Sequence, residues 1–307
     1  MLPYRKGRLD VLRSLQQLLT GLVDYAGLFP PAQLSLNEAM AEYNSVQSSP
    51  YSWLGDRFVL PAARLEEFAT HLATFPPHQT WQLSVILSQD WKSDLEQVHR
   101  AEAELIPKDN GQFLISTLEV APLDPSDIHS VGAHLPPGKE TFFEIPFQVG
   151  LAPYLEALQQ LGAAAKLRTG GVSSSAFPDT AQLSQRILSL AQARVPFKAT
   201  AGLHHPLPGN YRLTYEPNSA VGTMHGFLNV AVLAALAYQQ ALPLDGAVAL
   251  LTETSITPFQ FSETGLGWRD RTLSLEDIGV ARQQFFRSLG SCSLQEPIAD
   301  LKTLHLL

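Results

Sequence analysis

Residues 163–171, AAAKLRTGG, and residues 195–205, VPFKATAGLHH, read as two consecutive buried strands, each with one lysine among apolar neighbours. A lysine inside an apolar strand is costly unless something neutralises or uses it. Strand alternation puts Lys166 and Arg168 on one face of the first segment, and Lys198 and Thr200 on one face of the second. Both segments run into glycines, Gly170 and Gly171 in one and Gly202 in the other, where the backbone can turn sharply or approach a ligand closely. Folds of alternating strands and helices place their chemistry at such strand ends.

Outward from this pair the chain alternates regularly. Towards the N-terminus, strands are expected at residues 23–26, 57–60, 81–87, 113–119 and 141–147. Helices are expected at 8–22, 35–43, 63–75, 90–105 (capped by Asp90), 125–134 and 151–161, and from Pro178 onward. The lysine strands are then sixth and seventh. This alternation implies an α/β protein with a parallel sheet, and an eighth unit closes it into a single (β/α)8 TIM-type barrel spanning residues 1–307. The N-terminal helix (1–22) precedes the barrel. After strand seven, residues 203–223 carry three prolines and little periodicity and read as a lid-like loop. Helices follow at 224–240 and 246–252, and the eighth strand is placed at 259–262 (FQFS), with 247–251 as the other candidate. Ser274 and Asp277 resemble a capping box opening the last barrel helix, which Gly290 ends. Residues 291–307 form a C-terminal extension.

The 307 residues are 45% hydrophobic and only 16% charged, so much surface is buried, in keeping with a homo-oligomer. Net charge is −8 with no basic run, which excludes nucleic acid as a partner. The most apolar run, 227–237, is interrupted by Asn229 and is far short of the ~20 residues that span a bilayer, so no membrane partner is expected. Arg13, Gln16 and Gln17 break any signal-peptide core. The only cysteine, Cys292, excludes an internal disulfide and suits a reducing compartment. A cytoplasmic protein follows. Nothing near Cys292 in the sequence stabilises a thiolate, so it is not expected to be a nucleophile.

At the mouth of such a barrel the inward positions are Glu119, Glu144, Lys166, Arg168, Lys198 and Thr200, joined by Asp24 from strand one. Two meanings attach to this set. A lysine desolvated beside other cations loses proton affinity and, as a free amine, attacks a carbonyl to form a Schiff base. Alternatively, Glu119 and Glu144 pair with the cations in a structural network. Arg168 with the Gly170–Gly171 turn and the serines at 173–175 forms a candidate anion cradle.

The segments K-L-R-T-G (166–170) and K-A-T-A-G (198–202) resemble the two lysine motifs of deoxyribose-phosphate aldolase, a class I aldolase of (β/α)8 fold. That family carries Lys-x-x-Thr-Gly on strand six and Lys-Ala-Ser/Thr-x-Gly on strand seven. The resemblance implies that Lys166 forms the Schiff base, that Lys198 lowers its pKa, and that Glu119 takes the place of the acidic proton relay on strand four. Arg168 stands where the family has a small residue. For the family's phosphate site after strand eight, Gly290, Ser291 and Ser293 are candidates if that region folds back onto the barrel. The whole chain also resembles uncharacterised bacterial proteins, which implies no activity.

The resulting expectation is an aldolase-like lyase with no cofactor. It acts on a small anionic carbonyl compound, a sugar phosphate or keto acid, with Lys166, Lys198, Glu144 and Glu119 catalytic. Arg168, Thr169, Gly170, Gly171, Thr200, Gly202, His204, His205 and Asp24 bind substrate, the two histidines from the lid. One alternative is a metal-dependent lyase, isomerase or hydrolase using His204, His205 and His225 with Glu119 or Glu144. The other is a binding barrel without catalysis.

Overall fold

The computed structural model describes residues 11–75, 80–105 and 113–307. Seven parallel strands come from its first two thirds: β1 (Val23–Tyr25), β2 (Gly55–Pro61), β3 (Trp81–Leu87), β4 (Phe113–Val120), β5 (Glu140–Glu144), β6 (Ala164–Arg168) and β7 (Phe197–Thr200). An antiparallel hairpin of β8 (Gly209–Arg212) and β9 (Val221–Met224) follows. Later comes an antiparallel sheet of β10 (Phe259–Phe261), β11 (Gly265–Trp268) and β12 (Arg271–Ser274). The last strand, β13 (Phe286–Ser291), then enters between β7 and β1 and closes an eight-stranded parallel barrel.

The eighth barrel strand is therefore not residues 259–262. Phe259 pairs with Trp268 in an antiparallel ladder outside the barrel, where Phe259, Trp268 and Leu273 are buried. The true eighth strand, FRSLGS, lacks an apolar inner face because two of its inward positions are Ser288 and Gly290. Ser288 donates to the buried carboxylate of Asp24 at 2.6 Å, and a Cβ on Gly290 would stand 3.0 Å from the Thr200 hydroxyl. Gly290 consequently lies in a strand and ends no helix.

The helices α1 (Arg13–Leu19), α2 (Leu36–Gln47), α3 (Leu65–Leu72), α4 (Trp91–Arg100), α5 (Pro125–Gly132), α6 (Ala152–Leu161) and α7 (Thr180–Gln192) separate the strands. Then follow α8 (Phe227–Gln239), α9 (Leu244–Leu251), α10 (Leu275–Gln284) and, within the C-terminal extension, α11 (Gln295–Thr303). The expected start of the first helix, residues 8–10, lies outside the described residues. Ser35 with Glu38 and Ser274 with Asp277 form reciprocal capping boxes that open α2 and α10. Two expected caps differ. Asp90 makes no capping bond, and Pro178 lies outside α7, whose cap is Asp179.

Helix α8 is buried from Phe227 to Leu236 because α7, α9 and α10 pack over it. Asn229 survives in this apolar run by donating to the carbonyls of Leu250 and Glu253 at 2.7 and 2.9 Å, satisfying acceptors at the end of α9. The segment 203–223 is not an irregular loop throughout, since it contains most of the β8–β9 hairpin. No helix among the described residues is long and apolar enough to cross a membrane.

Candidate active site

The parallel register of β5, β6 and β7 aligns Glu144 with Lys166 and Lys166 with Lys198. All three side chains turn inward and form one ionic row with Glu119 from β4 and Asp24 from β1. Lys198 donates to Asp24 Oδ2 at 2.5 Å and to Glu119 Oε1 at 2.6 Å, and lies over the ring of Phe142. Lys166 Nζ stands 3.1 Å from Glu119 Oε2 and 3.1 Å from Glu144 Oε2. Arg168, at the strand end, donates to Glu144 Oε1 at 2.9 Å. Ser84 from β3 donates to Glu119 at 2.7 Å, and Arg57 from β2 approaches the other oxygen of Asp24 at 3.3 Å.

Burial opposes the charge on Lys198, but Asp24 and then Glu119 outweigh it and raise the lysine's pKa. Burial likewise favours neutral Glu119, yet Lys198 and Lys166 hold its carboxyl well below the usual range. Glu144 is also lowered, its burial being outweighed by Lys166 and Arg168. The cluster is thus a row of alternating charges in which each ion compensates its neighbour's desolvation.

Above the row lies a cavity of about 480 Å³, within the size range of small-molecule sites. Lys166, Glu119, Glu144, Arg168 and Thr200 line it, as do Gly170 and Gly171. Lys198 and Asp24 have no exposed side-chain surface and sit beneath it. Thr169 does not face the cavity but donates to the Ala201 carbonyl at 2.7 Å, tying the end of β6 to that of β7. Gly202, with φ of +74°, allows the same join, because a Cβ on Gly170 would come within 2.7 Å of the Gly202 Cα.

The histidines do not converge. His204 lines the cavity, whereas His205 turns away to Asp300 Oδ2 at 2.6 Å and stacks on Tyr211. His225 bonds the Pro178 carbonyl at 2.8 Å. Among the described residues no group of three or more His, Cys, Asp or Glu side chains is placed to hold a metal ion. Of the segment 203–223, only His204 borders this cavity; His204 and His205, ahead of the hairpin, pair with Glu296 and Asp300 of α11, and Tyr215 between the hairpin strands donates to Glu296 at 3.1 Å.

Residues that sequence reasoning passed over complete the site. Ser84 and Ser288 orient the buried carboxylates, and each sits at an inward strand position, which was the available signal. Cys292, at the end of β13, does have polar neighbours: His204 Nδ1 at 3.9 Å and the Tyr215 hydroxyl at 3.6 Å. Burial works against His204's charge, but its bonds to Cys292 and Glu296 prevail and push its pKa up to about 9. Because β13 is the eighth barrel strand, Gly290 and Cys292 border the cavity. Ser291 is turned away and donates to the Ser293 carbonyl at 2.9 Å.

No known protein-family model matches the chain, and no curated protein matches it.

Proposed function

We propose that the protein is a lyase of the class I aldolase type that forms a Schiff base between Lys166 and a small carbonyl compound. The observation that carries this reading is that Lys166 borders the cavity with Glu144 Oε2 3.1 Å from its Nζ, an acceptor and donor for the proton that imine formation moves. An ion-paired ammonium has to release a proton before its nitrogen can attack, and Glu144 is an acceptor already in contact. The free amine then adds to the carbonyl carbon. Glu144 gives its proton to the former carbonyl oxygen, a second proton passes from the nitrogen to that hydroxyl, water leaves, and a protonated imine remains on Lys166.

The imine is an electron sink. A carbonyl compound with a β-hydroxyl group loses that hydroxyl's proton to a carboxylate, the bond between its α- and β-carbons breaks, and the α-carbon keeps the electron pair as an enamine. The reverse sequence makes the bond. Lys198, to which the resemblance gives the task of lowering the pKa of Lys166, is instead neutralised by Asp24 and Glu119 and acts as a positioning residue that keeps Glu119 ionised and fixed. The low charged fraction supports a homo-oligomer, and the single cysteine supports a cytoplasmic setting.

A second reading, a binding barrel without chemistry, is favoured by the pairing of both lysines with carboxylates. The two separate in deuterium oxide. A Schiff-base enzyme exchanges the α-protons of the carbonyl compounds it accepts, followed by proton NMR, and Lys166→Met stops the exchange. A binding barrel exchanges none above the buffer rate.

A further inference from the structure

We infer that the carbonyl compound taken by this cavity has an uncharged, apolar body, in place of the phosphate or carboxylate expected from the sequence. The inference rests on the Schiff-base reading and concerns what surrounds Lys166. The walls above the ion row are apolar on most sides: Phe29 and Pro30 after β1, Val59 on β2, Ile86 on β3, and Val172 and Ala201 beyond β6 and β7. At ~30 Å³ per water-sized group, about 480 Å³ holds a body of at most roughly sixteen non-hydrogen atoms.

Among the described residues, each cation bordering the cavity already has a carboxylate partner. Lys166 is taken by Glu119 and Glu144, Arg168 by Glu144, and His204 by Glu296 at 3.1 Å. Glu119 and Glu144 themselves border the space, so a phosphate would face two carboxylates and would have to compete with Glu144 for Arg168, the most exposed of these cations. The end of the eighth strand offers no substitute. The Ser293 hydroxyl already accepts from the amides of Gln295 and Glu296 at 3.2 Å each, and the Glu296 carboxylate occupies that helix start. An apolar chain displaces water from these walls and disturbs none of the ion pairs.

The test is borohydride trapping on the full-length protein, read by intact mass. Hexanal and phenylacetaldehyde are compared with glyceraldehyde 3-phosphate and pyruvate at equal concentration, and Lys166→Met provides the background from other lysines. The expected result is trapping of the two apolar aldehydes at Lys166 at least about tenfold faster than of the two anions. Inorganic phosphate does not compete, and Ile86→Gln slows hexanal more than it slows pyruvate. Faster trapping of either anion at Lys166, or competition by phosphate, overturns the apolar substrate while leaving the Schiff base standing. Absence of any Lys166-dependent adduct overturns the Schiff-base reading and the inference with it.

Discussion

Lys166 and Lys198 stand side by side as register partners on β6 and β7, and Glu119 takes one ammonium on each of its oxygens, at 3.1 and 2.6 Å. The geometry gives the lysines different roles. Lys166 borders the cavity and has a second carboxylate, Glu144, within reach. Lys198 has no exposed surface and has Asp24 as its second partner.

Removing Lys198 leaves Asp24 and Glu119 short of a counter-ion in a site closed to water. Lys198→Met is expected to lower stability by about 3–5 kcal/mol, the usual cost of breaking a buried pair. Adding Asp24→Asn to the same chain removes one uncompensated charge and recovers part of the loss. Urea midpoints of the two single variants and the double variant measure this coupling.

His204 makes stability sensitive to mild alkali. Its pKa is raised to about 9 in the folded protein through Cys292 and Glu296, against ~6.5 when unfolded. The resulting stabilisation is fully present below pH ~6.5 and is lost as pH rises to about 9, a change on the order of 3 kcal/mol. Denaturation midpoints across this interval should fall in the wild type and run flat in His204→Gln.

The carboxylates act at the opposite end of the scale. Glu119 and Glu144 are held below their ordinary values, Glu119 far below. Their contribution is present above the unfolded value of ~4.3 and is lost as pH falls through the folded values. Acid unfolding followed by circular dichroism should therefore begin below pH ~4.3, and Glu119→Gln should show a shallower fall over the same range.

The join between the ends of β6 and β7 has no room for a side chain. A Cβ on Gly170 would lie 2.6 Å from the Phe177 ring and 2.7 Å from the Gly202 Cα. Gly170→Ala is expected to cost about 1–3 kcal/mol and to slow Lys166 trapping, because the backbone carrying Arg168 and Thr169 must shift. Thermal unfolding and trapping rate, measured on the same preparation, check both.

Seven of the eight barrel strands were legible in the sequence because they obey the apolar patterns of buried strands. WQLSVIL at β3 even has its boundaries as read. The eighth was not, because β13 faces the ionic interior with Ser288 and Gly290, and hydrophobic periodicity is blind to a strand built to serve a carboxylate. FQFS mimicked a strand of the barrel because it is a genuine strand of another sheet. Within the site, alternation was enough to find Glu119, Glu144, Lys166 and Lys198. It could not pair them, because which carboxylate each lysine reaches depends on barrel closure. The neighbours of Cys292 were hidden for a related reason, since His204 lies 88 residues away along the chain.

Whether Lys166 forms the Schiff base is read from the intact mass of the protein after borohydride reduction with a panel of small aldehydes and ketones, in wild type, Lys166→Met and Lys198→Met. The expected result is an adduct in wild type above the Lys166→Met background, weaker in Lys198→Met and reduced to that background in Lys166→Met. An adduct that persists undiminished in Lys166→Met, or no adduct in wild type with any carbonyl compound, would contradict it.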